Sequence, residues 1–199
     1  MKASFQSSPC DVPDMVGSAS AQDYAAGFRA RAVLRDGTAV CVRAIRADDK
    51  EHMRIAFERL SPQTVYRRFF QHLTTLTPGV LREATELDFH DHIGLALTVG
   101  DGTSERLIAV AQLVRVAPGA GCAEVAFVVA DDYQHRGAAT LLLQHLVHVA
   151  RGLGVRELLA LVLEENREML EVLENSNLPL RQTAEHGVRR VLLSLEAAT

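Results

Sequence analysis

The stretch AEVAFVVADDYQHRGAAT, residues 123–140, constrains this chain more than any other. An apolar strand pattern, AEVAFVVA, runs into the acidic turn Asp131-Asp132-Tyr133. Gln134-His135-Arg136-Gly137-Ala138-Ala139 follows, and an apolar-striped helix begins at once. A strand, a tight turn of small residues and a fresh helix N-terminus make an anion site. The first-turn N–H groups have no partner within the helix, and the helix dipole favours negative charge there. Small residues let a pyrophosphate approach the main chain.

The rest of the chain reads as a frame for that turn. Residues 31–35 and 39–46 straddle Asp36-Gly37, a hairpin signal. KEHMRIAFERL, residues 50–60, has Met53, Ala56, Phe57 and Leu60 on one helical face. Ser61-Pro62 and Thr77-Pro78 each start a further helix, since the hydroxyl can cap and Pro suits the first position. On the first of these, Val65, Phe69 and Phe70 are expected to face the core. Three strand patterns follow at 92–100, 106–116 and 123–130, separated by Gly-containing turns, and predict an antiparallel meander. The helix over 138–151 stops at Gly152-Leu153-Gly154. A strand over 155–166, a short helix from Asn166 to Glu174 and a hairpin about His186-Gly187 complete the chain. The strand–helix–strand unit at 123–163 is long enough for a right-handed parallel crossover. The expected fold is therefore α/β (α+β): a mixed, mostly antiparallel sheet with helices on both faces. Residues 1–28, rich in Ser, Ala, Gly, Pro and Asp, read as a poorly ordered arm, leaving 29–199 as one domain.

Composition excludes several classes. A net charge of −4 with no dense basic stripe argues against nucleic acid as a partner. Cys10, Cys41 and Cys122 are odd in number and far apart, against a disulfide framework or a zinc site and in keeping with a reducing cytoplasm. Apolar runs are too short to span a bilayer, and the N-terminus lacks a basic-then-apolar signal, so neither a membrane nor export is expected.

With these elements placed, the chain resembles the GNAT superfamily of acetyl-coenzyme A-dependent N-acetyltransferases over roughly residues 38–196. That family's loop pattern, Gln/Arg-x-x-Gly-x-Gly/Ala, is met by Gln134, Gly137 and Ala139. It follows a strand, opens a helix and is trailed by VRELLALVLEENREML, with Asn166 at the family's asparagine position. LSPQTVYRRFF, residues 60–70, and AEVAFVV are similar to the bacterial protein-lysine acetyltransferase branch. The resemblance implies acetyl-CoA as co-substrate and no metal. It implies that N–H groups from His135 through Arg136, Gly137, Ala138 and Ala139 to Thr140 hold the pyrophosphate. Main-chain groups of Phe127, Val128 and Val129 would pair with the pantetheine arm, and Asn166 would touch the coenzyme. Acetyl would pass directly to a primary amine, with protein lysine favoured over a small-molecule amine.

Two departures stand out. Seven residues after the asparagine, where many members place a Tyr that protonates the leaving thiolate, stands Leu173. This motivates a rival reading as a non-catalytic acyl-CoA sensor. Where Gly is usual near the end of that helix stands Asn177.

Glu124 is the candidate base. It interrupts an apolar strand four residues before Val128, and burial would raise its carboxyl toward neutrality. The matching position in the resembling branch also carries the base. Other groups have blander readings. Tyr133 reads as sheet packing, His90-Asp91-His92 as a polar loop, His148 as part of a solvated face, and Cys122 as a half-buried thiol. Glu164, Glu165, Glu168, Glu171 and Glu174 read as a solvated acidic face. Tyr66-Arg67-Arg68 is compatible with lining an acceptor channel or with pointing to solvent.

Overall fold

The computed structural model describes residues 20–196. Eight strands form one sheet in the order β1-β2-β3-β4-β5-β6-β8-β7. They are β1 (Arg29–Val33), β2 (Ala39–Ala44), β3 (His92–Val99), β4 (Arg106–Arg115), β5 (Cys122–Val129), β6 (Glu157–Leu163), β7 (Leu180–Glu185) and β8 (Val188–Ser194). The helices are α1 (Ala21–Gly27), α2 (Lys50–Glu58), α3 (Pro62–Phe69), α4 (Pro78–Thr85), α5 (Ala138–Gly152) and α6 (Arg167–Glu174). β5 and β6 are parallel, joined through α5, and every other neighbouring pair is antiparallel. The expected mixed sheet, meander and terminal hairpin are all present.

Local chemistry sets the element boundaries. Asp36 accepts the Thr38 N–H at 3.0 Å and Gly37 turns through φ +88°, closing the first hairpin. Ser61, Thr77 and Asn166 cap α3, α4 and α6, each accepting the N–H three residues on. Alternation along β5 separates two cores. Ala123 and Val125 join the large core that includes Leu142 and Leu146 of α5, while Val128 packs with Met53 of α2 and Ala84 of α4. Glu124 and Ala126, in phase with Val128, share its face.

Two expectations need correction. The poorly ordered arm does not extend to residue 28. Residues 21–27 form α1, opened by a Ser20–Asp23 capping box, and Ala25 and Phe28 lie in the main core. Phe28 packs on His145 at 5.4 Å, and the Tyr24 hydroxyl meets His148 at 3.0 Å, so α5 holds this segment. A seven-residue helix with Ala25 as its one buried residue shows no apolar period, so composition alone misread it. Cys10 and the remainder of that arm fall outside the described residues. Phe70, expected inward, ends α3 at φ +56° and is exposed, because the chain leaves the helix there. Val65 is buried as expected, and Phe69 stacks edge-on against Phe57.

A buried ion triad fastens α2 to the sheet. Arg43 of β2 binds both Asp49 oxygens at 2.7 Å, and its Nε donates to Glu105 at 3.0 Å. Arg43 and Asp49 are each 2% exposed. Burial pushes the Asp49 carboxyl up, but hydrogen bonds from Arg43 and Arg46 outweigh it and hold it low. Hydrogen bonding to Arg43 likewise lowers Glu105. Carboxyls lowered on folding stabilise the protein above their unfolded pKa, and that stability is lost as pH falls through the folded values. Arg43→Met leaves the buried Asp49 with only the Arg46 N–H and the His52 ring beside it, and should cost about 3–5 kcal/mol in urea unfolding near pH 7. The difference between wild type and variant should shrink below about pH 4 as the carboxylates protonate. A gap that does not change with pH would show that the triad is not its source.

Candidate active site

The site begins where β5 and β6 part. They pair from Cys122↔Glu157 to Val125↔Ala160 and no further. β5 stays paired with β4 as far as Val129, and β6 with β8 as far as Leu163. From Ala126 to Val129 one edge of β5 therefore faces a gap instead of a strand. Main-chain groups along such an edge can accept an extended ligand as an added strand.

At the end of the gap the chain turns into α5. His135 and Gly137 both take left-handed torsions, at φ +59° and +87°, and bracket Arg136. Ala138 is already helical, as its side chain requires. Among the described residues, none of the six N–H groups from His135 to Thr140 donates to the protein. They converge at a helix N-terminus, which suits an anion. A Cβ on Gly137 would come within 3.2–3.4 Å of the Arg35 side chain.

This turn is pinned to α3. Asp131 accepts the Ser61 N–H at 2.9 Å, the Ser61 hydroxyl at 2.6 Å and the Thr64 hydroxyl at 2.9 Å. Partial burial pushes the Asp131 carboxyl up, but these hydrogen bonds outweigh it and hold it low. The Gln134 amide donates to Thr64 Oγ1 at 3.1 Å and to the Val129 carbonyl at 3.2 Å. Gln134 thus anchors the loop with its side chain.

A cavity of ≈ 570 Å³ occupies the gap. Every residue expected at the coenzyme lines it except Arg136. The Arg136 guanidinium folds back onto Asp36 at 2.6 Å and over the Tyr133 ring at 5.1 Å. Only its backbone is available to an anion. Asn166 lines the cavity while its Oδ1 caps α6. Glu124 also lines it but is exposed, so the burial expected around it is absent. The strand edge is open on that side, where a second cavity of ≈ 460 Å³ begins. Glu124, Val125, Ala126, Val128, Arg68 and Phe69 border both cavities.

The Tyr66-Arg67-Arg68 ambiguity resolves residue by residue. Tyr66 stacks on His72 at 5.0 Å. Arg67 lines the cavity in the β5–β6 gap and pairs with Glu168 at 3.4 Å. Arg68 reaches Gln112 at 3.2 Å; burial lowers its pKa, and Glu124 opposes that shift. Leu173 is fully buried in the core, so position 173 offers the site no group at all. Asn177 takes φ +60°, a torsion Asn tolerates where Gly would be easier. Burial pushes the Cys122 thiol up and Glu157 adds to the effect, disfavouring a nucleophilic thiolate. Among the described residues no group of three His, Cys, Asp or Glu side chains is placed to hold a metal ion.

The acetyltransferase (GNAT) family matches residues 55–176. The chain belongs to that family. It is 30% identical to an acetyltransferase of Pseudomonas aeruginosa over 70% of this chain and 74% of that protein. It is 34% identical to the acetyltransferase Pat of Mycolicibacterium smegmatis over 71% of this chain, but spans only 41% of that longer protein. The GNAT domain of S. lividans PAT superposes with a TM-score of 0.77 at 36% identity, covering 83% of this chain and 96% of that one. This GNAT domain is therefore an acetyl-CoA-dependent acetyltransferase, and these relatives fit the branch its sequence resembles.

Sequence reasoning missed Arg35, Thr64 and Asp131. Arg35 lines the cavity in the β5–β6 gap, and its N–H holds the Arg136 carbonyl at 3.0 Å. Its guanidinium makes no ion pair among the described residues. It lies about a hundred positions before the loop, and no local pattern joins the two. Ser61 and Asp131 were read only as a cap and a turn, since their contact spans 70 positions.

Gly137→Asp places a charged side chain at φ +87° within the anion cradle. Calorimetry should show acetyl-CoA affinity reduced on the order of a hundredfold or more, with thermal unfolding confirming a folded variant. Affinity within about threefold of wild type would remove the loop from the coenzyme site.

Proposed function

We propose that this enzyme transfers acetyl from acetyl-CoA directly to a protein lysine amine, with Glu124 as general base. The observation that carries the proposal is Glu124's position at the junction of the two cavities. One cavity has the unpaired strand edge and the anion cradle. The other opens toward α2 and α4. Pat relatives support lysine as acceptor, and a small-molecule amine is the alternative.

The backbone of His135 to Thr140 receives the pyrophosphate, and the freed edge at Phe127 to Val129 aligns the pantetheine arm. Arg35 supplies the nearby positive charge. The thioester then lies beside Glu124. A lysine amine, with pKa ≈ 10.4, is neutral in about one molecule in a few thousand at pH 7, a deficit of about 4–5 kcal/mol. Glu124, directly or through one water, takes the ammonium proton. The freed nitrogen attacks the acetyl carbonyl, the C–N bond forms, the nitrogen gives its next proton to solvent and the C–S bond breaks. The thiolate then takes a proton from solvent. A thiol of pKa ≈ 8.5 leaves readily near neutral pH, which explains how Leu173 is tolerated in place of an acid. Free thiols at Cys41 and Cys122 support a cytoplasmic location. Among the described residues no helix is long and apolar enough to cross a membrane.

Glu124→Gln should lower kcat/KM for a lysine acceptor by about 10²–10⁴ while acetyl-CoA binding changes little. Activity should recover partly at high pH, where the amine deprotonates unaided. Unchanged turnover near pH 7 would eliminate Glu124 as base. Arg35→Gln should instead weaken acetyl-CoA binding by about tenfold, with kcat at saturation retained. Equal affinity would place Arg35 outside the coenzyme site.

A further inference from the structure

The second cavity carries information about the acceptor that the family assignment does not. Its walls are mostly apolar, from Phe57, Leu76, Val80, Val110, Val114 and Val116. Val80, Val114 and Val116 are also exposed at its rim, at 36%, 45% and 58%. Val114 is the cross-strand partner of Glu124, so this apolar surface runs directly to the proposed base. Exposed aliphatic surface gathered beside a reactive group marks a place where apolar substrate is buried.

The groove carries few charged groups. Glu83 and Glu124 are its carboxylates, and Arg68 and Arg115 its guanidiniums. Arg115 is paired with Asp91 at 3.4 Å and occupied by the carbonyls of His90, Ala120 and Leu153. His92, facing Glu83 and Arg68 and shifted downward chiefly by burial, adds no charge near neutral pH. A polyamine needs several carboxylates spaced along its length, and this groove does not provide them. A single ammonium beside Glu124, with apolar groups around it, fits.

We infer that the groove recognises a peptide segment in which the target lysine is flanked by bulky apolar side chains, seated against Val80, Val114 and Val116. This rests on the reading of the enzyme as a lysine acetyltransferase. Burial of one or two aliphatic side chains in such a groove gives discrimination on the order of tenfold or more.

The test uses lysine peptides identical except for Leu, Ser or Asp on either side of the lysine, with spermidine alongside. Acetyl transfer is followed by mass spectrometry and acetyl-CoA binding by calorimetry. Leu-flanked peptides should exceed Ser- and Asp-flanked ones in kcat/KM by about tenfold, chiefly through KM, and should exceed spermidine. The double variant Val80→Ser/Val116→Ser changes exposed side chains. It should raise KM for the Leu-flanked peptide and narrow the preference to about threefold, with acetyl-CoA affinity retained. Equal turnover of all peptides, or an undiminished preference in the variant, would overturn the groove assignment and leave lysine acetylation standing. Preferred turnover of spermidine, or no transfer to any peptide while acetyl-CoA still binds, would overturn both.

Discussion

Everything at this site depends on the end of one strand pairing. β5 and β6 hold each other through Val125 and Ala160, then separate. Backbone N–H and C=O groups seek partners, so two strands that diverge after four paired positions need other support. Each strand has it on its outer side, β5 from β4 and β6 from β8. The inner edge of β5 is left able to pair with a ligand. The same divergence opens the space in which the coenzyme-side cavity lies.

Holding that gap in shape is a polar network built from three distant segments. Gln134 takes the Val129 carbonyl at the end of β5 and the Thr64 hydroxyl of α3. Asp131 caps the start of α3 through Ser61. The hairpin between β1 and β2 completes the frame, since Arg35 and Asp36 grip Arg136 from the other side. The turn proposed to hold the pyrophosphate is thus held by contacts within the protein. In that proposal its unpaired N–H groups would meet a phosphate without being reorganised, which is the physical content of preorganisation.

Much of this was legible from residue order. Caps at Ser61, Thr77 and Asn166, the Asp36-Gly37 hairpin and the strand–turn–helix at 123–140 are local, and each residue type carries its own conformational preference. Gly137 could be singled out by its place in the loop pattern, and its left-handed torsion is one that suits glycine best. Less legible were the targets of long side chains. Arg136 is adjacent to the cradle in sequence, yet its guanidinium turns to Asp36 and Tyr133, whereas Arg35 lies against Gly137. Helix α1 carries one local signal, the Ser20–Asp23 capping box, while the contacts of Tyr24 and of Phe28 just past its end with two histidines of α5 span over a hundred positions.

The sequence by itself determined the elements, the strand–turn–helix at 123–140 and the isolated carboxylate at Glu124, because these follow from short-range periodicity and residue chemistry. Only the tertiary structure decided that Glu124 borders two cavities at once, that it is exposed, and that exposed valines lead up to it. Strand alternation could put Glu124 on a face. What that face meets was settled by α2, α3 and α4, whose packing against β4 and β5 is a long-range outcome that no spacing along the chain encodes.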